Sequence, residues 1–215
     1  MNFTSGLSRD FLSTSDAASK SAVILLAHNA AYAADYTPLA WTYDASMSRE
    51  VAYAMRSYLH AELLGEPHRP RTEILVDQAL GHIDQWFKTE SAEYVRPFMF
   101  ALTAESLIMY YDLSGDTRIP PAIEVGAKWI WERCWIPELK TFKYTDRLVP
   151  SGGTDPAPDL NLLIAPVYGW LWKQTANPMY REMADQIFIG GVQGAWLAGA
   201  KQFNQNYISS FDYVR

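Results

Sequence analysis

The sequence predicts an all-α domain of stacked αα-hairpins, with a small β insertion near residues 138–146. Three observations carry that expectation. The stretch 97–114 is apolar almost all the way round, with Phe98, Met99, Phe100, Leu102, Leu107, Ile108, Met109, Tyr110, Tyr111 and Leu113. A helix without a polar face has to be buried on most sides. The next stretch is one-sided: Ile119, Ile123, Ala127, Ile130 and Cys134 share a stripe, while Glu124, Lys128 and Glu132 fall elsewhere. The same pairing of an apolar helix with an amphipathic one recurs around Gly65-Glu66-Pro67, Gly115-Asp116-Thr117 and Ala176-Asn177-Pro178, the first two turns being 50 residues apart. A period of that length made of two helices is the mark of stacked hairpins.

Taken in order, residues 1–14 are polar and Ser-rich and read as an N-terminal arm ahead of a single domain over 15–215. A helix follows from about Ser15 to Ala34. Its apolar run Ser21–Ala27 and the small-x-small form of Ala31-Tyr32-Ala33 leave secretion as an alternative. Asp10 and Asp16 upstream, with His28 and Asn29 interrupting, favour an ordinary helix. No apolar run approaches the ~20 residues of a membrane span. Residues 36–43, with Pro38, read as a loop. Asp44 or Ser46 can cap a helix to Leu64, and Thr72 can cap one to about Lys88.

Gly115 stops the apolar helix, Asp116 can cap its partner, and Pro120 and Pro121 suit a first turn, where a missing N–H costs little. Thr141–Thr145 alternates and is β-rich, and 149–158 is a Gly/Pro loop. Leu160–Gln174 is another apolar helix, kinked at Pro166. Asn177-Pro178 restarts a last helix to about Ala200, before a polar and aromatic tail.

Bulk properties exclude some classes. The chain of 215 residues is 49% hydrophobic and 20% charged, enough for a sizeable core. Its net charge of −6 and lack of a basic run argue against a nucleic-acid surface. The single Cys134 excludes an internal disulfide and a cysteine metal cluster, and its place on the apolar stripe makes it a packed thiol. No His spacing makes a metal site; His60, His68 and His82 read as surface or edge residues, and no metal or cofactor is expected.

The alternating helices, the Leu-Ser-Gly-Asp turn of Leu113–Asp116, the Trp-rich helix ends and the strand insertion resemble the α/α-toroid superfamily. Six-hairpin glycosidases, unsaturated-glucuronyl hydrolases, sugar epimerases and several polysaccharide lyases belong to it. The resemblance covers most of residues 45–200 and is one of pattern. It implies an inner ring of apolar helices, an outer ring of amphipathic ones, and a carbohydrate ligand. About seven helices are roughly half of a closed ring, so a fragment, an open arc or a half-ring completed in a homodimer is expected. A polysaccharide enzyme would work in the periplasm or outside the cell.

The same resemblance places ligands where outer helices return to inner ones. Those connections (36–45, 89–97, 136–159 and 201–213) hold the polar and aromatic residues together. Stacking rings beside carboxylates and amides are what sugars need. The candidate catalytic residues are Asp159, Asp44 and Tyr207. The candidate substrate-binding residues are Arg96, Trp41, Tyr43, Tyr94, Tyr144, Asp155, Asn161 and Asn204. Hydrolysis needs two carboxylates across a groove; β-elimination needs a group that neutralises the uronate and a Tyr or His base. Simpler roles stand beside these: capping for Asp44 and Asp159, turn bonding for Asp155, and an ion pair of Arg96 with Glu93. Glu105 inside an apolar helix is either paired or a general acid. The rival class is a non-catalytic helical-repeat module binding glycan or peptide.

Overall fold

The computed structural model describes residues 4–35, 42–150, 152–196, 209–210 and 213–214. Among them run eight α-helices: α1 (Thr4–Thr14), α2 (Ala17–Asp35), α3 (Ser48–Leu63), α4 (Arg71–Phe87), α5 (Pro97–Ser114), α6 (Ile119–Cys134), α7 (Asn161–Thr175) and α8 (Pro178–Gln193). One antiparallel pair, β1 (Trp135–Ile136) and β2 (Thr141–Phe142), follows α6, with Trp135 opposite Phe142 and Ile136 opposite Thr141. The described chain is all-α with a small β insertion, as the pattern requires.

Successive helices pair as hairpins, α1 with α2 through α7 with α8. The odd-numbered helices also neighbour one another in chain order: α1 on α3, α3 on α5, α5 on α7. Behind them, α2 lies against α3 and α4 against α6. The sequence explains this layering. Helix α5 buries Phe100, Ala101, Leu102, Ala104 and Leu107, facing neighbours on both sides. Helix α6 buries the expected stripe from Ile119 to Cys134 and leaves Glu124 and Lys128 to pair at 2.8 Å on its outer face. Phe87 meets Phe100 edge-on (5.1 Å) and Trp129 at 5.3 Å. These rings fill the space beside Gly126, where a methyl group would overlap Phe100.

The turns obey capping chemistry. Gly115 is left-handed (φ 69°) and its N–H reaches the Tyr111 carbonyl at 2.8 Å. Asp116 accepts the Arg118 N–H at 3.0 Å, and α6 begins at Ile119 with both prolines in its first turn. At the last hairpin Ala176 takes the left-handed position (φ 53°), and Asn177 accepts the Met179 N–H at 3.1 Å.

Four expectations change. Residues 4–14 are helix α1, not an arm. Its most buried residues are Thr4, Ser5 and Ser8, whose hydroxyls are satisfied inside the protein, while Leu7 and Phe11 pack half-buried against the core. Thr72 is not a cap; it lies inside α4, is fully buried, and turns its hydroxyl toward Glu62 at 3.4 Å. Helix α8 ends at Gln193, and residues 197–200 lie outside the described set. His60 and His82 are 7% and 0% exposed, so of the three histidines only His68 is a surface residue. No helix is long and apolar enough to cross a membrane among the described residues.

Candidate functional site

Helix α4 builds one side of the site. Gln78, His82 and Gln85 fall on one stripe and hold the segment that leads into α3. Thr42 donates its hydroxyl to Gln78 at 2.8 Å, and His82 Nε2 bonds the Thr42 carbonyl at 2.8 Å. Gln85 takes the Ala45 N–H at 3.0 Å and donates to the Tyr43 carbonyl at 2.6 Å. A carbonyl only accepts, so His82 carries its proton on Nε2. Burial keeps this imidazole's pKa below its ordinary value.

So anchored, Asp44 is extended (φ −76°, ψ 136°) and accepts the Ser46 N–H at 2.8 Å. Hydrogen bonding from the Ser46 side chain, then from its backbone, holds the Asp44 carboxyl below the usual carboxylate range. Asp44 is therefore a cap that stays ionised at neutral pH, able to accept hydrogen bonds but unsuited to delivering a proton.

The other side comes from the loop between α4 and α5. Val95 pairs with Asp146 through two bonds: its N–H to the Asp146 carboxylate at 2.7 Å, and its carbonyl from the Asp146 N–H at 3.0 Å. Arg96 then precedes Pro97 in extended backbone (φ −111°, ψ 112°), as a residue before proline prefers. Its side chain is 9% exposed. The guanidinium carbon lies 4.6 Å from the Tyr94 ring centre and 5.1 Å from that of Tyr144. Tyr144 in turn stacks on Phe98 at 5.5 Å. The result is a column of Phe98, Tyr144, Arg96 and Tyr94, in which each cation–π contact contributes roughly 0.5–2 kcal/mol.

Asp44, Glu93, Tyr94 and Arg96 line a single cleft of about 280 Å³, walled by Trp86 and Met99. Four residues from two of the expected connections thus converge. Tyr144 joins them through Arg96, and Tyr43 is 57% exposed beside Asp44. The remaining candidates lie elsewhere. Asp159 is half-buried in the 3-10 turn Pro158–Leu160 that enters α7; no side chain caps that helix, and Asp159 does not line the cleft. Asp155 is exposed, and its carbonyl takes the Tyr144 N–H at 2.8 Å. Asn161, expected to bind substrate, is fully buried. Its carbonyl accepts from Thr141 and Phe142, and its amide donates to Lys140 and Ile187, so it staples the β insertion to α7 and α8. Trp41, Asn204 and Tyr207 fall outside the described residues.

Sequence reasoning missed Gln78, His82, Gln85 and Trp86. A polar stripe at i, i+4 and i+7 on an otherwise amphipathic helix was the available signal. Among the described residues no group of His, Cys, Asp and Glu could hold a metal ion. No protein-family model, curated protein or solved structure matches the chain.

Proposed function

We propose that the cleft at Arg96 binds a uronate unit of an acidic glycan, within a hairpin arc of the α/α-toroid type, and favours β-elimination over hydrolysis. The observation that carries this is a guanidinium lying over two phenol rings and lining a cleft that also holds Asp44 and Glu93. Stacking occupies the faces of a guanidinium, while its donors lie in the plane, where they match a carboxylate bidentately. Carboxylates opposite serve sugar hydroxyls, and the aromatic rings serve C–H faces. The side-by-side packing of α1, α3, α5 and α7 supports the arc.

In this reading Arg96 neutralises the uronate carboxylate, which acidifies the adjacent C5–H. A tyrosine phenolate, of Tyr94 or Tyr144, takes that proton and becomes the phenol. The electron pair forms the C4=C5 double bond as the C4–O bond breaks, and the departing oxygen takes the proton back from that phenol to become the hydroxyl of a new reducing end, which restores the phenolate. Hydrolysis fits less well, because the general acid of a glycosidase needs a raised pKa, and Asp44 is shifted the other way.

The test is incubation with oligogalacturonate and oligomannuronate, following the unsaturated product by ultraviolet absorbance and binding by calorimetry. Arg96→Ala should abolish both signals; Tyr94→Phe or Tyr144→Phe should abolish turnover while leaving binding. Binding without turnover in the unmodified protein would select the non-catalytic module instead. Unchanged acidic-glycan binding by Arg96→Ala, or none by the parent, would sink the uronate reading.

A further inference from the structure

A second cleft, also about 280 Å³, lies between α1, α3, α5 and α7, toward the C-terminal halves of the last three. Its floor is a polar chain. Arg56 of α3 donates to Ser5 of α1 at 2.8 Å and to Glu105 of α5 at 2.9 Å, so its charge is neutralised inside the protein. One turn on, His60 is 7% exposed and lines the cleft. Its Nδ1 is 2.8 Å from the Thr4 hydroxyl, and the ring is also hydrogen-bonded to the Arg56 backbone. One wall is the half-buried indole of Trp170, set edge-to-face against Tyr111 at 5.6 Å. Asp112 and Lys173 are exposed on neighbouring helices and also line the cleft.

We propose that this cleft is a second ligand site, one that takes a neutral pyranose ring stacked on Trp170 with its hydroxyls bonded to His60 Nε2 and Asp112. The charges select for neutrality. The residues lining the cleft include two cations, Arg9 and Lys173, and two carboxylates, Glu105 and Asp112; Glu105 is paired with Arg56, and Arg9 has a partner within the protein. A polyanion would meet two carboxylates, and a polycation would meet two cations. Burial first, and the Arg56 charge second, push the His60 pKa down to about 4, so the imidazole is neutral at pH 7. Its Nε2 is a donor or an acceptor according to tautomer. A hydroxyl, which both donates and accepts, satisfies either. The volume sits near the low end of small-molecule pockets, roughly 300–1,000 Å³, suited to one or two sugar rings. The site is independent of the Arg96 cleft.

The experiment is calorimetric titration of the whole chain with cellohexaose, maltohexaose and xylohexaose, and with oligogalacturonate as the acidic arm. At least one neutral hexaose should bind. Trp170→Ala should weaken it at least tenfold, and Asp112→Asn, on an exposed side chain that does not threaten folding, several-fold. Arg96→Ala should leave neutral binding unchanged, and Trp170→Ala should leave acidic binding unchanged. The proposal is overturned if no neutral hexaose binds, if Asp112→Asn and folded Trp170→Ala both bind as the parent does, or if Arg96→Ala removes neutral binding. Loss of the acidic arm alone would count against the uronate reading and not against this site.

Discussion

Replacing Asn161 with alanine separates a structural residue from a binding one. Four bonds end on this buried amide: from the Thr141 hydroxyl at 3.2 Å and the Phe142 N–H at 3.3 Å, and to the Lys140 and Ile187 carbonyls at 2.7 and 3.1 Å. Two partners have alternatives. The Thr141 hydroxyl also reaches the Phe142 carbonyl at 3.2 Å, and Ile187 lies within α8, where the helix ladder offers a donor. The cost falls on the Lys140 carbonyl and the Phe142 N–H. At about 1–3 kcal/mol for each of these two orphaned groups, the variant should lose roughly 2–6 kcal/mol. For a chain of this size that lowers Tm by roughly 5–15 °C, measured by thermal melting in circular dichroism.

Asn161→Asp sharpens the test. A buried carboxylate facing the Lys140 and Ile187 carbonyls has a folded pKa raised above its unfolded value near 3.9. Stability is then greatest below the unfolded pKa and falls as pH rises through the raised folded one, so the deficit against the parent should widen from pH 4 to pH 7. A drop in Tm of under about 2 °C for Asn161→Ala, accompanied by lost glycan binding, would refute the staple and return Asn161 to the ligand.

Two further outcomes follow from burial. His60 is neutral in the fold, its pKa pushed from 6.5 to about 4. The stability this contributes is present above pH 6.5 and lost as pH falls toward 4, about 3 kcal/mol in full. His60→Gln should flatten the pH dependence of chemical denaturation across that window, and an unchanged slope would contradict the assignment. Burial pushes the Cys134 thiol up to about 12, so Ellman's reagent should titrate it only in denaturant; a fast reaction in native buffer would contradict its packing.

Much of the fold was legible because it rests on one-dimensional signals. The apolar girth of α5, the stripe of α6, the left-handed Gly115 and the Asn177 cap each follow from local chemistry, and each is found where the spacing puts it. Helix α1 was not legible for a physical reason. Its most buried positions carry hydroxyls, with Leu7 and Phe11 only half-buried beside them; Thr4 and Ser5 are satisfied by His60 and Arg56, some fifty residues away, and Ser8 by the Ser5 carbonyl. Asn161 failed in the mirror-image way. It stands beside a polar loop, and only the tertiary structure reveals that the loop's backbone consumes its amide. Asp44, Tyr94 and Arg96 were found together because each sits in one of the connections between helices on the same side. Glu105 stood out in sequence as an acid on an apolar helix, and its partner Arg56, at 2.9 Å, accounts for it.

The two clefts differ in the end of the helix layer they use, and backbone electrostatics separates their proposed ligands in the same sense as their side chains. Helices α3 and α5 are separated by the one returning helix α4, so they share a direction. The Arg96 cleft lies at their N-terminal ends, beside Asp44 and Met99. The helix dipoles place partial positive charge there, which favours an anion. The Trp170 cleft lies farther along the same helices, from Glu105 to Asp112 on α5 and at His60 on α3. That is the end where carbonyls carry partial negative charge, which disfavours a carboxylate and is indifferent to a neutral sugar. A glycan with acidic and neutral units would thus find each kind of unit matched at a different end of one helix layer, with the direction of α3 and α5 setting which end takes which.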